Sequence, residues 1–68
     1  MFVLVRNASK SMPAQIWSTS PVKDEILHFL NLANENGVTR LHVISEKKLS
    51  AWIRTYQPDR RELEKIYV

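Results

Sequence analysis

The spacing of hydrophobic positions changes along this chain, and it predicts three short strands. Residues 2–5 are all apolar and rich in β-branched side chains, which favours a strand buried on both faces. Residues 15–19 predict a second, weaker strand at an edge of the sheet, in a hairpin with the first. Residues 40–44 alternate between polar and apolar positions and predict a third strand, with Leu41 and Val43 directed into the core.

A helical spacing follows the second strand, and its ends carry capping residues. Ser20 predicts the N-cap, Pro21 the first helical position, and Gly37 the left-handed residue that ends the helix. Leu27 and Leu32 widen the apolar face on either side. The resulting arc is broader than one face of a sheet covers, so we expect this helix also to contact a second helix or a copy of itself. The central positions of the apolar face are Val22, Ile26, Phe29, Leu30 and Ala33.

Two more helices are predicted in the last third of the chain. Residues 46–56 place four apolar side chains at helical spacing in a narrow stripe, and Pro58 ends this helix. Asp59 and Glu62 form a capping-box pattern, which predicts a short final helix. The stripe consists of Leu49, Trp52, Ile53 and Tyr56, and the final helix carries Leu63, Ile66 and Tyr67.

In chain order these elements predict a single small α+β domain over residues 1–68, a β-β-α-β-α-α arrangement with a three-stranded sheet packed against helices. A chain of 68 residues buries only about 60% of the surface that its unfolded form exposes, and small domains often gain stability by association. We therefore expect a homodimer. The chain begins with Met1 and shows no signal peptide or membrane span, so we expect a complete cytoplasmic protein with no membrane partner.

The sequence lacks the residue patterns that enzymes use. Gly37 is the only glycine, which excludes a Gly-rich phosphate loop, and no cysteine is present to act as a nucleophile. The carboxylates fall mostly on predicted helix surfaces, where solvation or pairing with nearby cations explains them. His28 on the polar side of the first helix and His42 on the outer face of the third strand are too few for a zinc site. We therefore expect no catalytic residue, no cofactor and no metal.

The net charge is +3, and all of the excess positive charge lies in the last third of the chain. Lys47 and Arg54 are two helical turns apart, about 11 Å along the axis, so cations here could contact successive phosphates. A solvated helix surface explains the same charges more simply. A helix-turn-helix is not indicated, because the segment between the glycine and Trp52 predicts a strand where that motif needs a tight turn. The candidate nucleic-acid contacts are Lys47, Lys48, Arg54, Arg60 and Arg61.

Two functions from different classes fit this sequence. The favoured hypothesis is a small non-enzymatic regulatory protein, an adaptor or inhibitor of the kind common in phage and mobile-element genomes, which modulates a larger host or cellular protein. Its interface candidates are Trp17, Leu27 and Leu32, because the weak strand could expose the tryptophan and the wide apolar arc needs a covering surface. The alternative is a basic regulatory protein that binds nucleic acid through its C-terminal third, and the low net charge makes it the second choice.

Overall fold

The computed structural model describes residues 1–66 and confirms the predicted α+β class and the order of elements. Three strands form one sheet, and three helices pack on it. Within these residues, no helix has the length and apolar character needed to cross a membrane. The strands are β1 (Phe2–Arg6), β2 (Gln15–Ser20) and β3 (Leu41–Ser45), and the helices are α1 (Lys23–Glu35), α2 (Glu46–Tyr56) and α3 (Arg60–Glu64).

β1 lies at the centre of the sheet, between β2 and β3. It pairs antiparallel with both neighbours, so β2 and β3 run parallel to each other at opposite edges. α1 connects these edges by crossing one face of the sheet, and it contacts all three strands. The predicted two-sided burial of the first strand is confirmed, since Val3, Leu4 and Val5 are each no more than 1% exposed.

Different helices cover the two faces of the sheet. α1 covers the face that carries Leu4, and Ile26 is its fully buried residue. α2 and α3 cover the face that carries Val3 and Val5, where Trp52 joins their buried cluster. Within the described residues, α1 contacts strands and neither of the other helices. Of the two expected contacts, the one between α1 and a second helix of the chain is therefore wrong, because the sheet lies between them, and the contact of α1 with a copy of itself stays a prediction.

Both faces of β3 contribute to the core, because helices cover both faces of the sheet. Val43 pairs with Leu4 and is half-buried on the α1 side, and Leu41 is also half-buried. Ile44 belongs to the buried cluster on the α2 side. His42 falls on that same side by strand alternation and is half-buried, so its predicted place on an outer face is wrong.

The start of α1 differs from the prediction. The helix begins at Lys23 with Val22 at the N-cap, so neither Ser20 nor Pro21 occupies its predicted position. Ser20 is paired with Phe2 as the buried last residue of β2, and its hydroxyl accepts the N–H of Val22 at 3.1 Å. The serine therefore caps a turn that precedes the helix. Val22 lies outside the apolar face and is 52% exposed.

The end of α1 follows the prediction. Gly37 has φ of +84°, in the left-handed region where residues with a Cβ are disfavoured. Its N–H donates to the carbonyl of Asn34, and the N–H of Val38 donates to the carbonyl of Ala33, both at 3.0 Å. These two bonds form a Schellman motif, which satisfies carbonyls that the helix end leaves free.

The predicted bounds of α2 are confirmed at both ends. Gln57 ends it in a left-handed conformation with φ of +46°, and Pro58 follows. Trp52 is 6% exposed, as expected for a residue of the apolar stripe. Its indole Nε1–H donates to Oδ1 of Asn7 at 3.1 Å, which ties the loop after β1 to α2.

Asp59 is the N-cap of α3, and its Oδ1 accepts the N–H of Arg60 at 2.7 Å. Glu62 forms an ion pair with Lys65, so its carboxylate is engaged within the helix end. The partly buried side chains of α3 pack on the cluster beneath α2. The predicted contribution of Tyr67 lies outside the described residues.

Two positive φ angles in the α1–β3 connection provide a paired test of stability. Gly37 has φ of +84° and Arg40 has φ of +64°. We expect Gly37→Ala to lower the free energy of unfolding by about 1 kcal/mol, because a Cβ in this conformation is strained. This loss of stability comes from backbone strain and not from a steric clash, since a Cβ at residue 37 would meet no atom within 4 Å.

Arg40→Gly should change stability in the opposite sense. It removes the strain of a left-handed arginine but adds freedom to the unfolded chain, so the free energy of unfolding should stay constant or rise by up to about 1 kcal/mol. Urea unfolding of both variants, followed by far-UV circular dichroism, checks the pair. Equal destabilisation by the two substitutions would contradict this account of the connection.

Candidate interaction surface

A β-bulge in β2 determines where Trp17 lies. Leu4 pairs with Ser18 and Val5 pairs with Ile16, so Trp17 is the extra residue opposite the centre of β1. A bulge breaks the alternation of side chains along a strand and redirects one of them. Trp17 and Ser18 consequently line the same groove on the α1 side of the sheet, and Trp17 is 44% exposed.

This groove lies open between β2 and α1 and has a volume of about 320 Å³. Leu4 and Ala33 line its interior. Three large apolar side chains form its rim: Trp17, Phe29 and Leu32, which are 44%, 37% and 42% exposed. We call the surface formed by these five residues the Trp17 groove. It combines an aromatic and aliphatic rim with a buried apolar interior.

The positions around α1 explain which predicted residues meet at the Trp17 groove. Phe29 and Leu32 are three residues apart, so they lie about 60° apart around the helix axis. Leu27 and Leu32 are five residues apart and lie about 140° apart. The structure therefore brings Trp17 and Leu32 together, and leaves Leu27 on the other side of α1, where it is 36% exposed.

Phe29 is the rim residue that the sequence did not indicate as a contact. It lies three residues after Ile26, so the helical spacing placed it within the buried face. β2 is the outermost strand on this side of the sheet, and the bulge shifts its backbone out of regular register. The phenyl ring is therefore only partly covered, which no spacing along the helix could reveal.

Two side-chain hydrogen bonds involve residues that line the Trp17 groove. The indole Nε1–H of Trp17 donates to Oε1 of Gln15 at 3.2 Å, so its polar edge is satisfied within β2. At the end of α1, the side-chain amide of Asn36 donates to the carbonyl of Leu32 at 2.8 Å. A partner therefore meets apolar carbon at the rim without having to compensate a free indole N–H.

The five predicted nucleic-acid contacts are all exposed, on α2 and α3. Lys47 and Arg54 lie on the side of α2 that faces away from Leu49 and Trp52, as helical spacing requires. The ion pairs within residues 1–66 involve none of the five cations. α2 and α3 cover the same face of the sheet, with α2 over β1 and β3 and α3 over β2.

The described part of the chain shows no cluster of three or more His, Asp or Glu side chains able to hold a metal ion. His28 is exposed on α1, and His42 is half-buried on the α2 side of β3. The sheet separates these two imidazoles.

Comparison of the chain with protein-family models, with curated proteins and with solved structures finds no match in any of the three. Its function is therefore inferred from the chemistry of its own surfaces.

Proposed function

We propose that this chain is a non-enzymatic, cytoplasmic regulatory protein that binds a larger protein partner through the Trp17 groove. The observation that carries the proposal is the exposure of three large apolar side chains around one groove, at Trp17, Phe29 and Leu32. Contiguous apolar surface on a small protein marks an interaction site, since leaving it in water is unfavourable. Tryptophan is also enriched among the residues that dominate binding energy.

The groove is built for binding with little reorganisation. Trp17 belongs to a paired strand and is bonded through its indole to Gln15, while Phe29 and Leu32 project from a helix that is anchored by the buried Ile26. Side chains already held by their own element lose little conformational freedom when a partner covers them. A rigid apolar rim of this kind suits a modulator that occupies a surface on its target.

A second copy of this chain is one occupant that the groove could accept. The expected homodimer would then bury Trp17 and Leu32 against the same residues of its partner, as two-fold interfaces do. Sedimentation of the purified chain decides between self-association and a different protein, because self-association depends on the concentration of this chain alone.

The two exposed leucines of α1 provide a matched pair of variants. Leu32→Lys and Leu27→Lys place the same charge on opposite sides of one helix, at residues that are 42% and 36% exposed. Both variants should remain folded, because neither leucine belongs to the buried cluster. Leu32→Lys should abolish capture of the partner from a lysate of the source cells, whereas Leu27→Lys should retain it.

The measurement is quantitative mass spectrometry of proteins retained by the wild type and the two variants, with circular dichroism as the check on folding. A partner retained equally by all three proteins would contradict the proposed role of the Trp17 groove. Loss of the same partner from both variants would also count against it, since the effect would then not depend on the side of α1.

Nucleic-acid binding is the second candidate, and one observation favours it. α2 carries Lys47, Lys48 and Arg54 on its exposed surface, and Glu46 is its only acidic residue. Glu46 is engaged with the N-terminal amino group at 3.8 Å. The outer surface of α2 therefore carries three cations and a single carboxylate, which lies beside the N-terminal amino group, and an excess of positive charge is what phosphate contact requires.

Combined substitution of Lys47, Lys48 and Arg54 by Ala tests this second candidate. If α2 contacts phosphates, the variant should bind short duplex DNA about tenfold more weakly or worse, with a shallower dependence of log affinity on log salt. Fluorescence anisotropy across a salt series measures both quantities. The matched control replaces Lys10, Lys23 and Arg40 by Ala, which removes the same charge from outside α2. An equal loss of DNA affinity in the two variants would contradict a specific role of α2 and leave only non-specific attraction between the protein and DNA.

A further inference from the structure

The two edges of the sheet differ in how they are protected against the addition of another strand. At the β2 edge, the bulge at Trp17 interrupts the regular register. The Nζ of Lys65 donates to the backbone carbonyl of Ile16 at 3.2 Å, so a side chain already occupies that edge. Bulges and lysines are the devices by which proteins prevent strands from adding to a sheet.

β3 itself contains neither a bulge nor a lysine. All five of its residues pair with β1 in one continuous register, and no strand in the described part of the chain lies on its other side. The orientation of its free backbone groups follows from one bond. The N–H of Glu46 donates to the carbonyl of Met1 at 3.0 Å, which makes these two residues a hydrogen-bonded pair.

Hydrogen-bonded and non-bonded pairs alternate along antiparallel strands. Counting from the Met1–Glu46 pair, Ile44 and His42 direct their backbone groups toward β1. Val43, between them, directs its N–H and C=O away from the sheet, as do the residues at the two ends of β3. The outer edge of β3 therefore presents a ladder of free donors and acceptors with Val43 at its centre.

Two lysines flank the β3 edge, one on each face of the sheet. The groove along β3 has a volume of about 360 Å³, and Lys23 of α1 and Lys48 of α2 flank it. Because these helices cover opposite faces of the sheet, one lysine lies on each side of the strand. The full lining is Phe2, Lys23, His42, Val43, Ile44, Ser45 and Lys48, which includes no carboxylate.

The nearby acidic residues lie elsewhere on their helices. Glu46 pairs with the N-terminal amino group. Asp24 and Glu25 follow Lys23 directly, so they lie about 100° and 200° further around the axis of α1. The positive charge of Lys23 and Lys48 at the β3 edge is thus not balanced by a residue lining the groove.

We propose that β3 is a docking edge for an extended acidic segment of another protein, which adds to the sheet as a fourth strand. Its backbone bonds to the free groups of Val43, and its carboxylates reach Lys23 on one face and Lys48 on the other. Successive residues of a strand point to opposite faces, so two adjacent acidic residues satisfy both lysines. Pairing between two copies of this chain is disfavoured, because it brings two sets of these lysines together.

This site lies at the opposite edge of the sheet from the Trp17 groove and does not depend on the proposed function. The test uses the purified full chain and a fluorescein-labelled peptide of sequence Thr-Val-Glu-Glu-Val-Glu-Thr with blocked termini. Fluorescence anisotropy should show saturable binding, and the peptide with lysine in place of glutamate should not bind. Leu32→Lys should leave the affinity unchanged, which separates this site from the groove beside β2.

Three variants test the contacts. Replacing Lys23 and Lys48 together by Gln should weaken binding about tenfold or more, because charge complementarity at the edge is lost. Val43→Pro should also weaken it about tenfold or more, because proline removes the outward N–H while costing no bond to β1. Val43→Thr keeps that N–H and a similar shape, and it should bind like the wild type.

Two peptides, each methylated on the backbone nitrogen of one of the two adjacent glutamates, give the same test without altering the protein, so a folding defect in Val43→Pro does not obscure the result. Because alternate residues of a strand direct their N–H groups to the same edge, strand addition requires that one of the two methylated peptides bind more weakly than the other. Equal binding of both methylated peptides and the unmethylated peptide would overturn the proposal and leave only attraction between charges. Absence of binding at low salt, or displacement of the peptide by short duplex DNA in a manner that needs Lys48 but not the N–H of Val43, would overturn it as well.

Discussion

The burial of β1 on both faces and along both edges is the constraint on which the rest of the structure depends. Val3, Leu4 and Val5 are each no more than 1% exposed, in a strand of five residues. A chain of 68 residues has little apolar surface to bury, and a central strand covered by helices on both sides uses it efficiently. Within the described residues, α1 and α2 contact β1 directly, and α3 contacts β2, which pairs with β1.

The central position of β1 leaves the two edges of the sheet to β2 and β3, and the edges differ in chemistry. Beside β2, the bulge exposes Trp17 next to Phe29 and Leu32, which creates an apolar groove. Beside β3, a regular strand lies between Lys23 and Lys48, which creates a cationic one. The two surfaces that we propose for binding therefore call for different partners, because apolar burial would drive the first interaction and charge with backbone pairing would drive the second.

The chain has no disulfide bonds to hold its loops against the sheet. No disulfide is possible in a chain without cysteine, and long-range polar bonds replace it at a few positions. Asn7 accepts the indole N–H of Trp52, and the guanidinium Nε of Arg6 donates to the carbonyl of Thr39 at 3.0 Å. Both bonds secure loops at one end of the sheet. The opposite end, where Phe2 pairs with Ser20 and Ser45, is held by strand pairing.

The sequence by itself determined those features that short-range patterns encode. It specified the order of the six elements, the bounds of α2, the termination of α1 at Gly37 and the burial of Trp52, because helical spacing, capping and backbone preference act within a few residues. It also separated Leu27 from Leu32, since five residues of helix turn them about 140° apart.

Only the tertiary structure decided how these elements present a surface. Ser20 precedes α1 instead of capping it because pairing with Phe2 holds it in β2. The bulge at Trp17, the incomplete cover over Phe29 and the unpaired edge of β3 all arise from contacts between segments distant in the chain. No local spacing records where a sheet ends or which strand occupies its edge, and both candidate binding surfaces lie at those edges.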